Sequence, residues 1–312
     1  MKVFVTGATG VIGRRVVPLL VGAGHDVTAA ARSVEKAATL RQAGARTVSL
    51  DLFDRDAVRR AVAGHDAIVN LATHMPASGT RMLLMPGAWR ENYRVRREGS
   101  AILVDAAIAG GATRFIQESF APIYPDSGDR WIDEQVAPRP ASYNRTTLDA
   151  ERSAQRFTEG GGVGVVLRFA AFYGPDARHV LELLSYVRKG WAPVPGSPSA
   201  FWSSVTHDDA ATAVVASLGV PAGVYNVADD EPLRRREYFD ALAHALGVPR
   251  PKLPPAWVTP LLGSVGETLA RSLRISSQKL RRATAWTPKY PSAREGWAAV
   301  AAALRRPRDI AA

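Results

Sequence analysis

The pattern of apolar runs predicts an α/β fold: a doubly wound parallel sheet with helices on both faces, followed by a smaller C-terminal lobe. Three observations carry this. Short strand-like runs alternate with helix-length amphipathic segments through the first half of the chain. A glycine-rich turn joins the first strand to the first helix. After Phe172 the alternation breaks, and Pro, Gly and Trp accumulate over 190–199.

The elements follow in order. Val3-Phe4-Val5 is a buried strand, and residues 11–21 carry apolar residues at helical spacing, with Val16, Val17, Leu19 and Leu20 free to pack on a sheet. Residues 27–31 form the second strand, and Ser33 caps a helix reaching Ala43. Residues 47–50 are the third strand, and Asp54 opens the next helix. Residues 67–71 form the fourth strand, a long helix spans 89–109, and 114–117 form the fifth strand. A helix over 142–159 leads to a sixth strand at 163–169, and 224–227 reads as a late strand.

Composition narrows the function. The chain has 312 residues, no cysteine and a net charge of +11. Without cysteine there are no disulfides, no thiolate catalysis and no Cys-ligated zinc. No apolar run is long enough to cross a membrane, and Met1-Lys2 leads straight into a strand without a secretory leader, so a cytoplasmic location is expected. The arginines are scattered rather than gathered on one face, which argues against nucleic acid and for a surface that favours anionic small molecules.

The turn Thr6-Gly7-Ala8-Thr9-Gly10-Val11-Ile12-Gly13 has the context of a dinucleotide site, following a strand and opening a helix. Gly7 permits the tight turn, Gly10 lets the backbone approach a pyrophosphate, and Gly13 lets the helix pack close to the sheet. The phosphates then meet free N–H groups at a helix N-terminus. The second strand ends Ala30-Ala31-Arg32-Ser33, with no acidic residue for a ribose 2′-hydroxyl. Arg32 and Ser33 suit a 2′-phosphate instead, so NADP is expected, with NAD as the alternative.

With these motifs in place, the chain resembles the extended short-chain dehydrogenase/reductase family, also called NAD-dependent epimerases/dehydratases. The resemblance adds Asp51-Leu52 near the adenine, Asn70-Leu71-Ala72 beside the cofactor, and Leu167-Arg168-Phe169-Ala170-Ala171-Phe172-Tyr173-Gly174-Pro175 near the nicotinamide. Val205-Thr206-His207-Asp208-Asp209-Ala210-Ala211, Val224-Tyr225-Asn226-Val227 and Ala285-Trp286-Thr287-Pro288 also fit the family's order. The implied cofactor-binding set is Gly7, Thr9, Gly10, Val11, Ile12, Gly13, Arg32, Ser33, Asp51, Leu52, Leu71, Ala72 and Tyr143. The implied division is a Rossmann domain over 1–172, with 204–228 returning to it, and a substrate lobe from 173–203 and 229–306.

The family's chemistry uses a Ser or Thr, a Tyr and a Lys. Pro140-Ala141-Ser142-Tyr143-Asn144-Arg145-Thr146-Thr147 places the tyrosine at Tyr143 and puts Thr147 where the lysine belongs. The hydroxyl position falls on Phe120, with Ser119 one residue early. Tyr143, Ser119 and Thr147 are therefore the expected catalytic set. Thr147 can hold a ribose hydroxyl but supplies no charge to lower the tyrosine pKa from about 10. Glu118 and Asp129 are alternative acid/base groups. Arg96 stands where the family carries asparagine on the long helix, and Asn92, one turn earlier, is its expected substitute. No metal-ligand spacing occurs, and the resemblance makes His207 structural.

Residues 73–86 follow the fourth strand at the edge where ligands bind and hold three of the four methionines. By resemblance, Trp131, Trp191 and Trp202 border the same crevice. The expected activity is NAD(P)-dependent oxidoreduction of a small apolar or aromatic carbonyl or alcohol. A non-redox epimerase or dehydratase on the same fold, and a catalytically silent NADP-sensing regulator, are the alternatives that the missing lysine raises. Family habit adds a homodimer through helices 89–109 and 142–159.

Overall fold

A computed structural model describes residues 1–305 except 77, 79, 80, 83, 84 and 86. Seven parallel strands form the main sheet: β1 (Lys2–Thr6), β2 (Asp26–Ala30), β3 (Arg46–Val48), β4 (Ala67–Asn70), β5 (Arg114–Phe120), β6 (Val163–Phe169) and β7 (Gly223–Val227). Their spatial order is β7-β6-β5-β4-β1-β2-β3. The chain order reverses between β1 and β4, and that switch point opens a crevice at the carboxyl edge.

The strands are apolar because helices cover both faces. On one side lie α1 (Gly13–Gly22) and α2 (Val34–Gln42), joined late in the chain by α7 (His207–Ala216). On the other lie α3 (Arg55–Val62), a long helix α4 and α5 (Thr147–Glu159). Ser33, Asp54 and Thr206 cap α2, α3 and α7 by accepting from backbone N–H groups. The helix α4 runs as Arg90–Arg94, then a π-helical turn over Val95–Gly99, then Ser100–Ala109.

The remaining helices are α6 (Arg178–Arg188), α8 (Arg235–Leu246), α9 (Gly263–Ala270), α10 (Gln278–Thr284) and α11 (Ala293–Arg305). A core separate from those on the sheet's two faces gathers Tyr173, Tyr238, Phe239, Leu242 and Trp297. Two short ribbons lie outside the main sheet: Arg274–Ile275 pairs with Trp131–Ile132, and Leu233–Arg234 with Phe201–Trp202.

Most boundaries shift by a residue or two, and two differences bear on the site. The fifth strand extends to Phe120. The helix expected over 142–159 begins instead as a separate 3-10 turn, Ser142–Asn144, before α5 starts at Thr147. The reason is tertiary: Tyr143 is drawn into a cluster with Trp89, Ala141 and Val265, and packing outweighs helical propensity.

Candidate active site

The glycine turn is held by steric necessity. Gly7 has φ +65°, and a Cβ there would lie 2.3 Å from the Leu71 carbonyl oxygen. A Cβ on Gly13 would lie 2.2 Å from the Gly7 carbonyl oxygen and 2.6 Å from Ala8 Cα. At Gly10 a Cβ meets only the Gly7 carbonyl oxygen, at 3.1 Å, and the residue faces outward. Gly7 and Gly13 are thus required by the protein itself, whereas Gly10 keeps open a space that the protein does not fill. A dinucleotide pyrophosphate at the N-terminus of α1 fits that space.

Next to the turn, Asn70 fixes the end of β4. Its Oδ1 accepts from Thr6 Oγ1 at 2.6 Å and from the Ala72 amide at 3.2 Å, while Nδ2 donates to Gln117 at 2.9 Å and Ser100 at 3.2 Å. Leu71 and Ala72 are therefore presented beside Gly7. Thr9 and Val11 are half-buried along the turn, and Ile12 is buried. Arg32 is exposed beyond the end of β2, Ser33 accepts from the Lys36 amide, and Asp51 is exposed at the end of the third strand segment, accepting from the Phe53 amide at 3.0 Å. Leu52 packs against Gly99 on α4.

At the carboxyl end of β5 the alternation of side chains separates two neighbours. Ser119, expected as the catalytic hydroxyl, is fully buried and donates to Glu151 on α5. Glu151 is held by Arg168 through two bonds of 2.8 and 2.7 Å, and Arg168 donates onward to Tyr124 at 2.8 Å. Ser119 thus belongs to a buried polar chain that binds β5, β6 and α5 together. Phe120 packs instead against the cluster of Trp89, Tyr143 and Val265.

Tyr143 is 7% exposed, and its ring centroid lies 4.8 Å from that of Trp89. Burial pushes its phenol up to about 12, against a hydrogen bond with Thr268 and the charges of Arg96 and Arg271. Thr147 is fully buried, one turn further on, and accepts from Arg96 Nη1 at 2.8 Å. Tyr143, Thr147, Phe120 and Arg96 are brought together; Ser119 is not. No motif reading placed Arg96 here, although its departure from the family's asparagine was the visible signal.

Of the other expected groups, Asp129 and His207 have charged partners. Glu118 is buried, its carboxyl pushed up by burial and pulled down by Arg96. Asp129 is exposed and paired with Arg234 at 3.1 Å. His207 Nδ1 lies 2.9 Å from Asp176, which also pairs with Arg14 and Arg15 on α1. Asn92 accepts from the His74 amide at 3.0 Å. Among the described residues no group of three His, Asp or Glu is placed to hold a metal ion, and no helix is long and apolar enough to cross a membrane.

A small cavity opens from this cluster, walled by Phe120, Phe201, Trp202, Leu269 and Leu273, with Thr268 at its rim. Trp202 lines it. Trp131 lines a separate, larger cleft with Asp133, Glu134 and Lys279, and Arg274 lies over its ring, while Trp191 is half-exposed. Of the methionine segment, Met82 packs on the Tyr143 cluster and its carbonyl accepts from Trp89 Nε1. Met75 and Met85 are half-exposed, and residues 77, 79, 80, 83, 84 and 86 of this segment lie outside the described ones.

A family model described as "NAD dependent epimerase/dehydratase family" matches residues 3–228, which spans the glycine turn, Tyr143 and β7. The chain belongs to that family. It is 33% identical to a 3-diazoavenalumate denitrifying reductase from a Streptomyces species, over 95% of this chain and 99% of that one. It is 29% identical to a 2-alkyl-3-oxoalkanoate reductase from Stenotrophomonas maltophilia, over 80% and 77% of the two chains. Among solved structures, a UDP-glucose 4-epimerase from Thermus thermophilus in complex with NAD superposes with a TM-score of 0.78 and 26% identity, covering 98% and 99% of the two chains. The parallel-sheet fold and enzymatic relatives are thus what this member of the NAD-dependent epimerase/dehydratase family shares with its neighbours.

Proposed function

We propose that the protein is an NADPH-dependent reductase of small, apolar or aromatic carbonyl compounds. The observation that carries this reading is Tyr143, a phenol held protonated by burial among Trp89, Phe120 and Val265 at the carboxyl edge of the sheet. A phenol that is protonated at neutral pH can supply the proton that an oxygen gains in reduction. A bound reduced nicotinamide supplies the hydride. In such a reduction Tyr143 would give its proton to the carbonyl oxygen as the carbon gains a hydride, and the tyrosinate left behind would regain a proton from solvent. The apolar side chains of Phe120, Phe201 and Trp202 near the Tyr143 cluster are compatible with an apolar or aromatic substrate group.

NADP is assigned from Arg32, which stands exposed at the end of β2 with Ser33 beside it. Changing Arg32 to alanine is expected to weaken NADPH binding by about tenfold or more, one charge-assisted contact with a 2′-phosphate, and to leave NADH binding unchanged. Fluorescence titration with both nucleotides checks it; equal losses for both would remove the assignment.

The whole-length likeness to a denitrifying reductase favours a second acceptor. A carbon bearing a diazonium group can take a hydride and release dinitrogen, so no oxygen needs a proton. Phe120 in the hydroxyl position and Thr147 in the lysine position are compatible with such chemistry. A panel of ketones, aldehydes and aryl diazonium compounds with NADPH tests both readings. Stoichiometric loss of nicotinamide absorbance supports a reductase, and dinitrogen release picks the second acceptor. Product formed at constant NADPH absorbance would point to epimerase-type chemistry, and tight NADPH binding without any turnover would point to a sensor.

A further inference from the structure

We propose that Arg96 takes over the task of the absent lysine, bringing the fixed positive charge to Tyr143 and the nicotinamide ribose from α4 instead of α5. The inference rests on the reductase reading for its catalytic half, while its cofactor-binding half stands independently.

The geometry begins at Thr147. This residue lies one turn beyond Tyr143, is fully buried, and its hydroxyl accepts from Arg96 Nη1 at 2.8 Å. The cation therefore ends at the position from which a lysine side chain would start. Arg96 is 5% exposed, and its nearest carboxylate among the described residues, Glu118, is 3.6 Å away, too far for a hydrogen bond.

A guanidinium has five N–H donors, and one removed from water costs several kcal/mol unless they are satisfied. Here they are not. Arg96 Nε, Glu118 Oε2 and Asn92 Nδ2 are all buried without a hydrogen-bond partner. Three buried polar atoms, two on α4 and one on β5, thus carry hydrogen-bonding capacity that the protein itself does not meet. A purely structural ion pair would have closed on itself, as the two bonds between Arg168 and Glu151 do. A ribose hydroxyl has the donor and acceptor capacity to meet these atoms.

The backbone is built for the same purpose. Arg96 sits in the π-helical turn Val95–Gly99, which inserts one residue into α4 and keeps Asn92, Arg96 and Ser100 all facing inward. Such turns recur at functional sites because they re-aim one side chain without breaking the helix. The charge of Arg96 also acts on the Tyr143 phenol, opposing the effect of burial. Arg96 is thus a positioning residue for the proton donor and a binding residue for the cofactor.

The test uses four forms of the full chain: wild type, Arg96→Met, Arg96→Lys, and the exchange Arg96→Asn with Thr147→Lys. Each is read for NADPH dissociation constant by nicotinamide fluorescence, for kcat and its pH profile, and for thermal midpoint. Arg96→Met is expected to weaken NADPH binding about tenfold, one charged contact, and to lower kcat about 100-fold, the usual loss for one preorganised donor. Arg96→Lys is expected to recover part of both. The exchange is expected to return both to within about tenfold of wild type, because it leaves one cation in the same space on the other helix. Should Arg96→Met fail to fold, the exchange still decides. NADPH affinity and kcat unchanged in Arg96→Met, or an exchange variant that folds but is as impaired as Arg96→Met, would overturn the proposal. If wild type binds NADPH but reduces nothing on the panel, the reductase reading fails, and the binding arm still tests Arg96.

Discussion

Replacing Gly13 with alanine is expected to abolish dinucleotide binding and to destabilise the fold, while replacing Gly10 removes binding alone. The Gly13 Cβ would sit 2.2 Å from a carbonyl oxygen of its own turn, and both groups are backbone. Either the turn must open or α1 must lift from the sheet, where Val16, Val17 and Leu20 are buried. Overpacking of this kind costs about 1–3 kcal/mol, and it displaces the amides that would face the phosphates. At Gly10 the only close atom is one carbonyl oxygen at 3.1 Å, so the free protein accommodates a methyl group with a small shift. Any loss of NADPH affinity in Gly10→Ala is then caused by the ligand's own need for that space. Gly22, at the end of the same helix, has nothing within 4 Å of an added Cβ. Gly22→Ala serves as the control and is expected to be neutral or to stabilise by about 0.5–1 kcal/mol. Urea denaturation and NADPH titration on the three variants check the set. A Gly10→Ala protein that binds NADPH normally would remove the pyrophosphate from this turn.

Tyr143→Phe is expected to lower kcat by about 100- to 10,000-fold, the range for losing a positioned acid, with NADPH affinity close to wild type. The ring remains packed against Trp89, 4.8 Å away, so stability should fall by only about 1 kcal/mol, the cost of one buried hydrogen bond. The pH dependence has a definite sign. Burial raises the phenol pKa to about 12, so the hydroxyl is protonated below that value and the donor persists across the neutral range. Reduction by the wild type should therefore show no loss attributable to this group between neutrality and mild alkali. Steady-state kinetics of both forms across that range give the comparison. Full activity in Tyr143→Phe would assign the proton to another group.

What the sequence made legible follows from how local each constraint is. The glycine turn and the alternation of strands and helices rest on sterics and periodicity within a few residues, and these appear in the structure with small boundary changes. Ser119 was misleading for a reason of register: with β5 continuing to Phe120, adjacent residues point to opposite faces, and the serine faces Glu151. Tyr143 was legible from its motif, but the break between Ser142–Asn144 and α5 depends on packing against Trp89 and Val265, far away in the chain. The pairing of Arg96 with Thr147 crosses 51 positions and depends on a π-turn that has no sequence signature. Each residue looked like an isolated departure from the family pattern; only the fold shows that the two departures meet. Trp191 shows the limit in the other direction, since aromatic character alone does not tell an outer surface from a pocket wall.

In the proposed reaction hydride passes from a cofactor bound at the Gly7–Gly13 turn to a substrate beside Tyr143. The direct measurement is isotope transfer. Wild-type protein is incubated with NADPH carrying deuterium at the transferable ring position and with the best substrate of the panel, and the product is analysed by mass spectrometry and NMR. One deuterium per product molecule, at the reduced carbon, with matching loss of NADPH, is the expected result. Product without deuterium, or product formed while the deuterated NADPH is fully retained, would contradict the account.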